Sequence, residues 1–290
     1  MPYLYLASAV VFNASISLFG AFFNKKSQNL QDATPFYTLL LVASAFVGWF
    51  VLFAFDGSIS LEVIPYSIIF GVGYALCNAF LVHSLNSGPM SLTSLLIQLS
   101  LISATIWGFF FWEAKFTPLV AIGLVAVVIS LWLCLYKGKT EKQNKFSWKW
   151  LLYVAITFVA NSACTIVQRT QQIAFDGKYG NFFMLVAVGI STIISLVIYL
   201  KSNKKDSLII LKKSGYMPIS AGFFNVLANF CVILLATSTL SPSIVYPVIA
   251  VGVLMITTLV SFIVFKEKMK WWQYIGIVLG IIATAILNIG

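Results

Sequence analysis

Apolar residues run along this chain in long stretches, separated mostly by a few lysines or by a tight turn containing glycine or proline. A helix needs about 20 mostly apolar residues to cross a bilayer. By that measure ten stretches qualify, at approximately 3–23, 34–55, 64–86, 90–112, 116–136, 148–172, 180–200, 215–238, 241–265 and 270–289. The third meets the fourth at NSGPM and the eighth meets the ninth at TLSPS, turns marked by Gly88-Pro89 and Pro242. The longest connector, KGKTEKQNKFS, divides the chain into residues 1–136, a basic link at 137–147, and residues 148–290, with five spans on each side. The pattern predicts an all-α integral membrane protein with ten transmembrane helices.

Composition supports the same class. Hydrophobic residues make up 60% of the chain and charged residues 9%, against roughly 25% charged in a soluble domain. So few polar groups cannot cover a globule in water. The net charge of +10 is not a nucleic-acid signal, because the lysines cluster in the connectors as the positive-inside rule requires. Cys77, Cys134, Cys164 and Cys231 lie within apolar runs without metal or redox spacing, so they read as buried thiols. The N-terminus lacks the basic flank of a signal peptide and reads as a retained first helix.

The two halves echo each other. ASAVVFNASISLF (7–19) lies over AITFVANSACTIV (155–167), which sets Asn13 on Asn161. FFFWEAKFTPLVAIGLVAVVIS (109–130) lies over IVFKEKMKWWQYIGIVLGIIATA (263–285), so that Glu113 precedes Gly123 as Glu267 precedes Gly276. An odd number of spans per unit turns the second unit upside down, and inverted repeats are a transporter architecture with the substrate near the midplane. On these features the chain resembles the drug/metabolite transporter superfamily, in particular the ten-helix EamA-like permeases. The resemblance implies two inverted five-helix repeats and a cavity lined by spans one, three, four, six, eight and nine, with spans five and ten at the periphery.

Assigning connectors alternately to two faces puts 15 of the 18 basic residues on one of them, leaving only Lys115, Arg169 and Lys178 on the other. By the positive-inside rule the lysine-rich face is cytoplasmic and both termini lie outside the cell membrane. The resemblance implies the reverse, since such relatives are often drawn with cytoplasmic termini.

The sixth span ends in NSACTIVQRTQQ (161–172), either a frayed helix end or a site. Positions i, i+4, i+7 and i+11 share a helix face, and from Asn161 that walk gives Thr165, Gln168 and Gln172. From Asn13 it gives Ser17, Gly20 and Asn24. A stripe recurring in both halves is not fraying, and unsatisfied polar groups in lipid are costly, so the stripes face protein or a water-filled cavity. Two readings follow, a transport pathway or polar contacts between helices. Arg169 reads first as a residue near a helix end that reaches the interface and pairs with Asp176, and second as a substrate contact.

Further candidates are Tyr74 and Asn78 in span three, Gln98 in span four among Ser91, Ser94 and Thr105, and Trp107 as a stacking surface. Span eight adds Asn225 and Asn229. Span nine adds Tyr246 beside Pro247, which removes a backbone hydrogen bond. His83 reads as interfacial, and Glu113 and Glu267 as contacts tying spans four and nine to their neighbours. No GxxxxGK[ST], HExxH or GxSxG motif occurs. The expected function is a permease, not an enzyme, moving a small molecule such as an amino acid, nucleoside or amine. It is expected to be a monomer or homodimer in the lipid bilayer with no cofactor, metal or nucleic acid. A membrane scaffold or receptor is the alternative, and an integral membrane enzyme is a more distant one.

Overall fold

A computed structural model describes residues 1–27, 33–87, 90–136, 147–202, 205–264 and 270–289. Helix makes up 89% of it and no strand occurs among the described residues. The helices are α1 (Pro2–Ser27), α2 (Ala33–Asp56), α3 (Ile64–Ser87), α4 (Met90–Phe111), α5 (Pro118–Leu135) and α6 (Trp148–Ala174), followed by α7 (Gly180–Lys201), α8 (Ser207–Ser214), α9 (Tyr216–Ala236), α10 (Pro242–Val264) and α11 (Trp271–Ile289). Eight of them are long and apolar enough to cross a membrane, and shorter apolar stretches lie at Leu96–Phe111 and Pro118–Cys134. The ten expected stretches fall on α1–α7 and α9–α11, and eight of these helices meet the length and apolar character that a span requires. The short helix α8, inside the connector before α9, was not expected.

Local chemistry sets the helix ends. Thr117 caps α5 by accepting a hydrogen bond from the Val120 N–H at 3.2 Å, with Pro118 opening the helix. Ser147 caps α6 by accepting from the Trp150 N–H at 3.1 Å. At its other end α6 runs unbroken through the whole polar stretch to Ala174, so that stretch is not a frayed end. The chain then turns tightly: Asp176 and Tyr179 take positive φ angles of 51° and 60°, and Gly177 takes 77°. The Gly177 N–H closes back on the Gln172 carbonyl at 2.8 Å.

Eight helices close a ring. In order around it, α1, α9, α2, α7, α3, α6, α4 and α10 each pack on the next, and α10 returns to α1. Outside the ring α5 and α11 pack on each other and against α10 and α4. Large apolar side chains such as Phe55, Phe110, Val125, Ile193 and Val278 stand exposed, as a surface solvated by lipid allows.

Small residues allow the close packing on which association in lipid depends. Gly71 and Gly73 stand about 200° apart around α3. A Cβ at Gly71 would meet the Ala187 carbonyl of α7 at 2.5 Å, and one at Gly73 would meet Cys164 Sγ of α6 at 3.0 Å. One helix thus packs tightly against two neighbours. Gly276 does the same for the α5–α11 pair, where a Cβ would meet Cys134 Sγ at 2.8 Å and the Cys134 amide nitrogen at 2.9 Å. Beside it the Ser130 hydroxyl donates to the Gly276 carbonyl at 2.7 Å, and the Gln273 amide donates to the Cys134 carbonyl at 2.9 Å. Gly276→Val should therefore push α11 off α5. The expected cost is about 1–3 kcal/mol, read as a lowered unfolding midpoint of the purified protein in detergent.

One contact expected at a helix end takes another form. Glu113 is exposed, holds a positive φ of 52°, and makes no hydrogen bond or ion pair with a described residue. The turn there closes instead through the Ala114 N–H on the Gly108 carbonyl at 3.1 Å. Its counterpart Glu267 lies outside the described residues, as do all four lysines of the 137–147 link. Pro247 does not interrupt α10, which continues helical through it.

Candidate functional site

The polar face of α6 meets partners on three other helices. Asn161 donates through Nδ2 to the Ser100 hydroxyl of α4 at 2.6 Å, and the Ser162 hydroxyl donates to the Ser100 carbonyl at 3.3 Å. The Thr165 hydroxyl turns back to the Asn161 carbonyl at 2.9 Å. One helical turn further, Gln168 is 4% exposed. Its Nε2 donates to Asn229 Oδ1 of α9 at 3.2 Å and faces Met184 Sδ of α7 at 3.8 Å. Asn229 in turn donates to the Asn225 carbonyl at 2.9 Å, with Asn225 Oδ1 at 3.3 Å.

These two connections differ in kind. Asn161 joins α6 to α4, its neighbour around the ring. Gln168 and Asn229 join α6 to α9, which are not neighbours in the ring order, so the α6–α9 hydrogen bond crosses the interior. Three expected residues, Gln168, Asn225 and Asn229, are thereby brought into one chain of amides, buried at Gln168 and Asn225 and half-buried at Asn229.

Further along α6 lies a second cluster. Gln172 donates to Gln171 Oε1, and Gln171 donates to the Lys178 carbonyl at 3.2 Å, which ties the tight turn to the helix. The Gln172 Oε1 atom is buried without a hydrogen-bond partner. Arg169 corrects its first reading. It is 6% exposed instead of reaching the interface, while Asp176 is exposed and forms no ion pair with it. The Trp112 ring, reaching in from the end of α4, lies under the guanidinium with its centroid 5.4 Å from Cζ. Tyr246 of α10, 2% exposed, sets its hydroxyl beside the same group.

The remaining candidates stand apart. Asn13 donates to the Ala9 carbonyl of its own helix at 2.8 Å, and Ser17 is exposed and donates to the Asn13 carbonyl at 3.2 Å. Tyr74 stacks on Phe70 with ring centroids 5.9 Å apart, and its carbonyl accepts from Asn78 Nδ2 at 2.8 Å. Asn78 and His83 line a small, mainly apolar cavity of about 90 Å3 between α2, α3 and α7, to which Thr34, Thr38 and Ser195 add the other polar side chains. Gln98 is partly buried on α4. Trp107 is exposed among Ile106, Phe110 and Phe111 and stacks on Phe111 at 4.1 Å, apart from the polar candidates. A larger groove of about 650 Å3 between α3 and α6 is lined only by apolar and glycine residues, including exposed Ile68, Val72 and Val159. It is suited to acyl chains.

Sequence reasoning did not single out Ser100 or Trp112. Ser100 carries no signal beyond a small polar residue in an apolar helix. Trp112 carries none, because eight tryptophans occur in the chain and most positions for them read alike.

Fold and composition together define an all-helical protein whose long apolar helices mark it as a membrane protein. No protein-family model and no curated protein matches the chain. A solved crystal structure superposes with a TM-score of 0.72, covering 99% of this chain and 96% of its own, at 11% sequence identity. That likeness is one of fold alone.

Proposed function

We propose that this chain is a secondary transporter of the drug/metabolite type, a ten-span permease of two inverted five-helix repeats. It moves a small polar or amphipathic metabolite across the plasma membrane by alternating access, as a facilitator or exchanger. One observation carries the reading: a closed ring of eight helices with a partly buried amide chain, Gln168–Asn229–Asn225, running across it between α6 and α9. Polar groups at membrane depth face protein or a watery cavity, and a hydrogen bond that bridges opposite walls of a ring can break when the walls separate. A contact between fixed neighbours has no such use.

The order of neighbours supports the repeat. Exchanging α1–α5 with α6, α7, α9, α10 and α11 turns the pair α1·α9 into α6·α3, α1·α10 into α6·α4, and α2·α9 into α7·α3, all of which are packed pairs. The pairs α2·α7, α4·α10 and α5·α11 map onto themselves. With five spans per unit the second unit is inverted, and α5 with α11 forms the periphery that the family resemblance implies.

The lysine-rich face is proposed as cytoplasmic. Lys26, in the last turn of α1, donates to the Lys213 carbonyl of α8 at 2.6 Å, so the end of α1 and the basic helix α8 before α9 share a face. The four native thiols are buried, which leaves single engineered cysteines readable. In intact cells Ser58→Cys should react with a membrane-impermeant maleimide and Lys205→Cys should not. The reverse labelling would put both termini in the cytoplasm. Flux in proteoliposomes separates a transporter from a scaffold or a membrane enzyme.

A further inference from the structure

Arg169 is the chain's only arginine, and its electrical position is unusual. The side chain is 6% exposed, yet Nε and Nη1 have no hydrogen-bond partner in the protein. No carboxylate among the described residues forms an ion pair with it, and Glu62, Glu113 and Asp176 are all exposed. Other buried ionisable groups can shed their charge, but a guanidinium keeps its proton at any physiological pH. A buried cation of this kind is stable only with a compensating charge.

Its surroundings define how that charge arrives. Trp112 meets the guanidinium at 5.4 Å, and a ring face steadies a cation without occupying any of its N–H donors. Nε and Nη1 belong to the two different forks of the group, which share Nη2, so each fork keeps one donor without a partner. A planar fork matches the paired oxygens of a carboxylate or phosphate, which a spherical ion cannot offer. Tyr246 supplies a hydroxyl beside the guanidinium, and Gln172 Oε1, three residues on along the same helix, is a free acceptor for an O–H or N–H elsewhere on the bound molecule, not for the oxyanion itself.

We infer that Arg169 reads the charge of the transported molecule, and that this molecule carries an oxyanion, a carboxylate or a phosphate, docking on a guanidinium fork while Trp112 steadies the ring-facing side. The inference deepens the transport reading and rests on it for the word transported; the anion site itself rests on the burial and free donors of Arg169. The amides of Gln168, Asn229 and Asn225 then meet the uncharged part of the same molecule.

A single arginine makes the test direct. Phenylglyoxal modification of the purified full-length protein is followed by peptide mass at Arg169, alone and with four pools at matched concentration. The pools are small carboxylates (lactate, pyruvate, benzoate), small phosphates (glycerol 3-phosphate, phenyl phosphate), neutral analogues (propanediol, benzyl alcohol) and amines (aminopropanol, benzylamine). The carboxylate or the phosphate pool should slow modification about tenfold once its binding member is at about ten times its Kd. The other pools should leave the rate unchanged, and which anionic pool protects identifies the source. Equal rates with every pool, protection by the amines or neutrals instead, or no modification of ligand-free protein would each overturn the inference. Protection without flux in proteoliposomes would keep the anion site and remove the transport reading. Flux of amines or nucleosides that survives Arg169→Gln would keep transport and remove the inference.

Discussion

Gln168→Leu should abolish transport while leaving a folded, membrane-inserted protein. Gln168 is buried and holds the only side-chain hydrogen bond found between α6 and α9 among the described residues. Leucine fills a similar volume but leaves Asn229 Oδ1 without its donor. Such a bond in a membrane protein is worth on the order of 0.6 kcal/mol, with a range to about 1.7, too little to unfold the chain. Lost flux with a near-normal unfolding midpoint is therefore the expected result. Asn161→Leu should also abolish transport, through a different route, since it frees Ser100 of α4 and loosens a wall instead of the crossing. Asn13→Leu should act more weakly, because Asn13 bonds only within its own helix. Normal transport by both the Gln168 and Asn161 variants would make the α6 stripe a packing device and remove the site.

Much of this arrangement was legible in the sequence because the relevant signals are local. Runs of about 20 apolar residues located each long helix to within a few residues, and helical spacing joined Gln168 to Asn161 and Thr165 on one face. The order of helices around the ring was not legible. In lipid the outward and inward faces are both apolar, so periodicity does not say which side meets which neighbour. Gln168 and Asn229 could be named separately as polar, but nothing in one chain pairs them. Helix α8 is only 8 residues long, too short to carry a periodic signal. Arg169 was misread for a physical reason: its distance from the helix end favours reaching water, and nothing in one helix's sequence shows that the Trp112 ring at the end of another helix lies over it.

Energy coupling is the second large expectation. Transporters driven by protons or sodium commonly hold a carboxylate within the membrane, where it can exchange its proton or bind the ion as the site changes sides. Here Glu62, Glu113 and Asp176 are exposed at helix ends or in turns, and Asp56 and Asp206 also stand at helix ends. The only charged side chain among those buried within a membrane-length helix of the described chain is Arg169, a guanidinium and not a carboxylate. Counterflow in liposomes should proceed without any ion gradient, and an imposed pH gradient should not concentrate substrate. Uphill accumulation driven by that pH gradient, and lost in His83→Ala or Glu113→Gln, would overturn the facilitator or exchanger reading.

The most direct test of the central claim, that the eight-helix ring encloses a transport pathway, is counterflow in proteoliposomes. Purified protein is reconstituted, vesicles are preloaded with one unlabelled compound at a time, and entry of its labelled form is followed across carboxylates, phosphates, amino acids, nucleosides and amines. The account predicts a transient, saturable overshoot for at least one compound, absent from protein-free vesicles and from vesicles holding Gln168→Leu. Entry no faster than through protein-free vesicles for every compound, with protein shown to be folded and inserted, would contradict it.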